Sequence, residues 1–419
     1  MAGVKAPRGV PDLVPPDSEL LTEVEDAARL LFGRYGYRRI ETPVFEATEV
    51  FQRAAGDASD IVLEKQMYTF TDRRERSYSL RPEGTAGIAR AYVERDLGKK
   101  LAPPVRLAMM SWFFRYERPQ KGRTRQFHQI DAECIGSAEP IVDAELIMLA
   151  SQFFDAVGLQ PQLLLNSMGH PADRERYFPV LREALGDKVE DMCDECHVRL
   201  EKNPLRVFDC KVPGCRKILR GGDVPPITEY LCDDCRSHFA AVQDILETVG
   251  VAWKSDPHLV RGFDYYTRTV FEFVLEGFGA RGTVCGGGRY DGLVELLGGA
   301  PTPAAGFAIG TEPTLVALRE QRGEVGGWRP DVYVIWMEGL ASVAMASALD
   351  FRKAGLRVTV ADEPKSMRAQ LRAADKSGAA RAVILGTGEV AKGVATVKEL
   401  SSGEQREVPL DSLVKELAR

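Results

Sequence analysis

At 419 residues with 44% hydrophobic content, the chain is long enough for two or three separately cored domains and is not a disordered polymer. Its formal net charge of −6 excludes a generally adhesive nucleic-acid binder, so any RNA contact has to come from local basic patches. The N-terminus, MAGVKAPRGVPDL, has no apolar core for a signal peptide and no apolar run reaches membrane-spanning length, so a cytosolic protein with no membrane partner is expected.

Apolar residues at Leu20, Leu21, Val24, Ala27, Ala28, Leu31 and Phe32 give the spacing of a helix between Pro16 and Gly36. The next segment, YRRIETPVFE, reads as a strand broken by Pro43, which cannot donate to a ladder and belongs at a sheet edge. MYTFTD and SYSLRPEGTAGIARAYVE read as a hairpin running into a helix, with the turn near Arg73 to Arg76. Glu83, just before Gly84 and Thr85, reads two ways: as a favourable charge near a helix N-terminus, or as a holder of an ammonium group.

The stretch from Phe113 to Gly136 organises the rest. Val105 to Phe114 is apolar enough for a buried strand, and Gln126 to Ile135 alternates like its antiparallel partner. Between them Arg115, Arg118, Lys121, Arg123 and Arg125 project from a connection turned by Pro119 and Gly122. Such a loop is either a solvated charged hairpin or a polyphosphate site. Gln129, Asp131 and Glu133, at a period of two, share a face, and a face that polar between apolar strands is expensive unless it binds something.

After a helical pattern from Ala138 and a strand-like QLLLN, residues 171–250 turn charged, helical and cysteine-bearing and read as an inserted domain. Of the eight cysteines, Cys193, Cys196, Cys210, Cys215, Cys232 and Cys235 cluster here. In a reducing cytosol that clustering favours a metal over disulfides and fits a tetrathiolate zinc site, with His197 or His238 as alternatives to one sulfur. The other reading is small buried residues packing well, since six candidates exceed four ligands. Strand patterning resumes with RGFDYY and TVFEFVLE, where Tyr265 and Tyr266 read as core or as a ligand cage, followed by the glycine run of TVCGGGRYDGL and the small-residue strand AAGFAIG. Residues 323–330 are a linker by composition, and strands alternating with helices over 331–419 predict a small α/β domain. LGTGEV lacks the third glycine of a dinucleotide loop.

FRYERPQKGRTRQFHQ resembles motif 2 of class II aminoacyl-tRNA synthetases, in the form found in histidyl-tRNA synthetases. The RGFDYY segment resembles the signature that separates that family from the rest of the class. RPEGT resembles its amino-group site, the helix and broken strand before it resemble motif 1, and AAGFAIGTEPTLVAL resembles motif 3. One position departs: where the family pattern has an arginine that binds ATP, this chain has Pro313.

The resemblance implies an α+β fold: a class II antiparallel-sheet catalytic domain (1–170 and 251–322) with a helical insertion (171–250), the linker, and an α/β anticodon-binding domain (331–419). It implies a histidine–tRNA ligase using ATP and Mg2+, with L-histidine and tRNA(His) as partners and a homodimer through motif 1; it does not itself require a zinc at the cysteines. Carried over residue by residue, Arg115 and Arg261 act at the α-phosphate, and Arg123 meets the outer phosphates. Glu117 and Phe127 hold adenine; Glu83, Thr85 and Gln129 take the amino acid's backbone end. Glu133, Tyr265, Tyr266 and Tyr290 face the imidazole. Read from the residues themselves, Thr311 is available as N-cap of the motif 3 helix, and with the charge missing at Pro313 either another arginine of the pocket, such as Arg123 or Arg289, covers the nucleotide or ATP binds weakly. Two rivals share parts of the pattern: the synthetase-like regulatory subunit of ATP phosphoribosyltransferase, and a zinc-containing RNA-binding protein whose cysteines are primary.

Overall fold

The computed structural model describes residues 3–56, 66–278, 282–323 and 327–418, so residues 324–326 of the expected linker lie outside the described residues. It divides into two units, Met1–Glu324 and Val325–Arg419.

The strands of the first unit are β1 (Arg38–Arg39), β2 (Phe45–Ala47), β3 (Thr69–Thr71), β4 (Ser77–Leu80), β5 (Val105–Phe114), β6 (Gln126–Ile135), β7 (Gln162–Ser167), β8 (Trp253–Ser255), β9 (Thr267–Val274), β10 (Thr283–Arg289) and β11 (Ala304–Gly310). Among the described residues its main sheet is eight-stranded, in the order β1-β5-β6-β11-β10-β9-β7-β8. The strands from β5 across to β7 pair antiparallel, while the short β1 and β8 close the two edges in parallel. Pro43 splits its segment as its missing donor requires: β1 joins the main sheet, and β2 leaves it for a separate three-stranded sheet with β4 and β3.

The helix Asp17–Arg34 buries Leu20, Leu21, Val24, Ala28, Leu31 and Phe32, the face its spacing predicts. The helix Pro140–Val157 is hydrophobic nearly all round and is buried accordingly. Between β7 and β8 the chain is helical, with helices Pro171–Leu185, Asp194–Lys202, Pro213–Leu219 and Asp233–Thr248 linked by short 3-10 turns.

The second unit is a five-stranded mixed sheet in the order β13 (Val358–Val360), β12 (Val332–Trp336), β14 (Arg381–Leu385), β15 (Val394–Glu399), β16 (Gln405–Pro409). Period-two alternation gives it two apolar faces: Val332 and Val334 pack with Ala344, Ala348 and Phe351, while Tyr333 and Ile335 pack with Ala374 and Ala382. Among the described residues no helix is long and apolar enough to cross a membrane.

Candidate active site

The site is built where β6, β11 and β10 run side by side. Glu133 of β6 lies opposite Gly306 of β11, and Gly306 opposite Gly288 of β10; Asp131 lies opposite Ala308. The small residues make room for the acids. A Cβ added at Gly306 would collide with Glu133 Oε2, and one added at Gly84 would collide with Asp131 Oδ2.

Glu133 is 1% exposed. Its Oε1 accepts from Thr85 Oγ1 at 2.6 Å, and its Oε2 accepts a short hydrogen bond from the Tyr290 hydroxyl. Burial pushes its carboxyl well above the usual carboxylate range, and the bonds from Thr85 and Tyr290 pull it back. Tyr290, Tyr265 and Tyr266 surround this point: the ring centroids of Tyr265 lie 4.7 Å from Tyr266 and 5.6 Å from Tyr290, and Phe263 stacks on Tyr265 at 5.1 Å. An aromatic box with a phenol and a carboxyl at its floor fits a flat ring with polar edges.

Glu83 accepts from the backbone N–H of Thr85 and of Ala86, both at 2.8 Å, so the capping reading holds on geometry. Burial nevertheless raises its carboxyl above the usual range. Gln129 Oε1 and both carboxylate oxygens of Asp131 are buried and, among the described residues, have no hydrogen-bond partner. Asp131 lies against Gly84 at the helix N-terminus, and buried acceptors left unsatisfied there call for a donor-rich ligand, which an ammonium group is. Period two alone put Asp131 on the polar face without assigning it a role; its burial was the missing signal.

Arg115 donates from Nε to Pro82 O at 2.8 Å, and its guanidinium lies 5.1 Å above the Phe127 ring and 5.9 Å from the Phe263 ring. Arg261 pairs with Glu272 by a short bond from Nη1, lies 5.8 Å from the Tyr266 ring, and occupies space that only a glycine at 286 leaves open. Arg206 of the insertion donates to Arg261 O at 2.7 Å and Asn203 to Asp264 Oδ1 at 2.9 Å, so the insertion steadies the RGFDYY turn.

The basic loop divides its cations. Lys121 pairs with Glu320 at 2.7 Å, and Arg125 lies 4.1 Å over the Tyr116 ring while donating to Glu117 O. Arg123 lies 4.0 Å from Glu117.

Two expectations about motif 3 need correction. Thr311 is not the N-cap; Gly310 precedes the helix Thr311–Arg322, and the Thr311 hydroxyl donates instead to His128 O at 3.1 Å. Arg289 does not cover a nucleotide. It is fully buried, with Asp143, Asp291, Ser137 O and Glu139 O taking its donors. Pro313 sits in the first helical turn, where its ring is tolerated, and its Cα is 3.8 Å from a Cβ placed on Gly122 of the basic loop. Arg319 pairs with Asp17, away from the site.

The six insertion cysteines fall into two groups. Cys193, Cys196, Cys210 and Cys215 converge, whereas Cys232 and Cys235 meet His170 and Asp173. His197 bonds to Val189 O and His238 to Asp143, so neither joins a cysteine group.

A family model described as histidyl-tRNA synthetase matches residues 9–176 and 221–313, and an anticodon binding domain model matches 331–419. The chain is 43% identical over 416 residues to the histidine–tRNA ligase of Acetivibrio thermocellus, covering 99% of both chains. It is 45% identical to that of Moorella thermoacetica, covering 97% of this chain and 96% of the relative. The crystal structure of apo S. aureus histidyl-tRNA synthetase superposes with a TM-score of 0.81 at 32% identity, covering 100% of each. An ATP phosphoribosyltransferase regulatory subunit/histidyl-tRNA synthetase from Bacillus halodurans, 23% identical with a TM-score of 0.66 over 91% of this chain and 98% of its own, shares the fold.

Proposed function

Because the chain belongs to the histidyl-tRNA synthetase family, we propose that it acts as a histidine–tRNA ligase, with the residues of the β6–β11–β10 site dividing the work as follows. A carboxylate oxygen of histidine attacks the α-phosphorus of ATP and pyrophosphate leaves, giving histidyl-adenylate. A hydroxyl at the tRNA 3′ end then attacks the activated carbonyl carbon and loses its proton, and AMP departs.

Glu133 and Tyr290 read the two imidazole nitrogens between Tyr265 and Tyr266; a substrate lacking those nitrogens leaves buried polar groups unmatched. Glu83, Thr85 and Gln129 receive the ammonium end, and Asp131 supplies a further counter-charge there. Arg115 and Arg261 meet the charge that builds on the α-phosphate, where fixed cations in a desolvated site count most. Glu117 and Phe127 hold adenine, and Arg123 meets the outer phosphates.

The family uses ATP with Mg2+, which is carried mainly by the phosphates and asks one or two carboxylates of the protein. We assign Glu312 to that part: it accepts from His128 N at 2.8 Å, and burial raises its carboxyl to about 7, a cost a nearby cation would relieve. When bound, Mg2+ neutralises charge on the leaving pyrophosphate.

For the rest, we assign residues 1–170 and 251–322 to catalysis, 171–250 to the insertion and 331–419 to the anticodon of tRNA(His), in a cytoplasmic homodimer. Support for a dimer comes from the exposed aromatic cluster of Phe45 and Phe70 beside Tyr78. A structural zinc is assigned to Cys193, Cys196, Cys210 and Cys215. Cys193 Sγ and Cys210 Sγ lie 3.7 Å apart, against the edge of about 3.8 Å that bonds of about 2.3 Å impose on a tetrahedral zinc thiolate.

The observation that carries the reading is the Thr85–Glu133–Tyr290 floor inside a tyrosine box. The regulatory-subunit reading draws on Pro313, but gives no account of the 331–419 match to an anticodon binding domain. Histidine-dependent ATP–pyrophosphate exchange tests the choice: exchange with histidine supports the ligase, and none at saturating ATP favours the regulatory subunit.

A further inference from the structure

The two cysteine groups of the insertion are separate constructions. In the second, the ligand atoms of His170, Asp173, Cys232 and Cys235 all lie within 4.8 Å of one another. The backbone explains the convergence. His170 is the N-cap of the helix Pro171–Leu185 and Asp173 its N3 residue; Cys232 is the N-cap of the helix Asp233–Thr248 and Cys235 its N3 residue. Two helices therefore point their N-termini at one spot, each presenting a side-chain pair spaced i, i+3, a spacing that places both on the same face.

Capping alone accounts for part of this. Asp173 accepts from His170 N at 3.0 Å and from Cys232 N at 2.9 Å, with Arg176 reaching its Oδ1 from the outside. Cys232 Sγ accepts from Cys235 N at 3.4 Å. The His170 ring is the other half of that capping box, but capping does not explain why Cys235, fully buried, converges on the same point, with His170 Nδ1 3.8 Å from Cys232 Sγ. The positive ends of two helix dipoles favour thiolates and a carboxylate here, and those anions in turn favour a divalent cation. Two soft sulfurs, one imidazole and one carboxylate form a donor set suited to zinc rather than to magnesium or calcium.

We propose that the chain carries a second metal site, distinct from the four-cysteine cluster, in which His170, Asp173, Cys232 and Cys235 bind one zinc-class divalent cation. The ion clamps the first turns of two insertion helices together. On the far side of the ring Arg268 donates from Nε to His170 Nε2 at 2.9 Å and contacts His238 Nδ1 at 3.1 Å. A metal on Nδ1 would put the ring proton on Nε2 and so would replace the Arg268 Nε–His170 Nε2 bond, while the separate Nη1 contact with His238 asks for no change. Arg268 is held at φ 48°, a left-handed conformation uncommon for a non-glycine residue and more frequent at built sites.

The test is zinc content by elemental analysis of the full chain, purified without chelator, loaded with zinc chloride and freed of excess by gel filtration. About two zinc per chain are expected, one per closed four-ligand site. Cys232→Ser with Cys235→Ser should leave about one, and Cys193→Ser with Cys196→Ser should also leave about one. Should the first pair fail to fold, His170→Asn decides between the outcomes: it keeps a side chain suited to the N-cap but removes the imidazole, so the chain should fall to about one zinc, and about two retained would overturn the second site. If the natural chain holds about one zinc, lost on changing Cys193 and Cys196 but kept on changing Cys232 and Cys235, the second site falls and the first stands. If it holds none after loading, both fall.

Discussion

Tyr290 donates its hydroxyl proton to Glu133 Oε2 across 157 residues of sequence, and the other oxygen of the same carboxyl is held by Thr85 at 2.6 Å. Three segments far apart in the chain thus meet at one buried acid. Removing that acid leaves the Tyr290 and Thr85 hydroxyls and the substrate's ring nitrogen without their partner. Glu133→Ala should weaken histidine binding by roughly 2–4 kcal/mol, and Tyr290→Phe by about 1 kcal/mol. Calorimetric titration with histidine checks both; an affinity within about a factor of two of the natural protein for Glu133→Ala, about 0.4 kcal/mol, removes Glu133 from the imidazole site.

Asp131 predicts a trade between stability and function. Its two oxygens are buried without partners, and burial with Glu83 nearby raises its carboxyl well above the usual range. Asp131→Asn removes the charge while keeping the shape. Thermal stability should rise, by on the order of 1–2 kcal/mol, while the histidine KM increases because the ammonium loses its counter-charge. A variant that is less stable and binds histidine normally would make Asp131 a structural group instead.

Much of this arrangement was legible in the sequence, for physical reasons. The β5–β6 pair follows from apolar runs around a turn-rich basic loop, and the helical stretch between β7 and β8 from a change of periodicity. Other features depend on contacts between distant segments, which local pattern does not encode. Arg289 follows a glycine run and looked available for a phosphate, yet Asp143, 146 residues away, takes it into the core. Likewise the cysteines offered two CxxC pairs and a wider one, but the wider Cys210 and Cys215 join Cys193 and Cys196. The partners of Cys232 and Cys235 are a histidine and an aspartate some 60 residues earlier, a pairing visible only once two helix N-termini face each other.

Glu312 gives a pH signature. Burial raises its carboxyl from 4.5 to about 7, against the opposing bond from His128 N at 2.8 Å. The folded chain therefore binds a proton that the unfolded chain has released, so Glu312 subtracts from stability as pH rises from about 4.5 to about 7. Glu312→Gln, which mimics the protonated acid, removes that dependence. Urea denaturation at pH 5 and pH 8 should show the natural protein losing stability relative to the variant at the higher pH. A gap that does not change with pH refutes the assignment.

The last prediction concerns Pro313. Its Cα faces Gly122 of the basic loop, so a longer side chain there would reach the loop that carries Arg123. Neither Arg289, consumed by Asp143, nor Arg319, paired with Asp17, makes up the missing charge. Arg115 and Arg261, assigned to the reacting phosphorus, are unaffected by the substitution, so the chemical step should persist while nucleotide binding is weak. Pro313→Arg should lower the ATP KM and change kcat much less, the signature of added uniform binding. It should also cost some stability: about 0.4–1 kcal/mol from the freer unfolded chain, and about 0.3–1 kcal/mol from a cation near a helix N-terminus. Steady-state pyrophosphate exchange against ATP concentration, with a melting curve for each protein, reads both effects. An unchanged KM would mean that position 313 does not address the nucleotide in this chain. Restored exchange from a natural protein inactive even at high ATP would mean that the substitution had switched a binding subunit into a ligase.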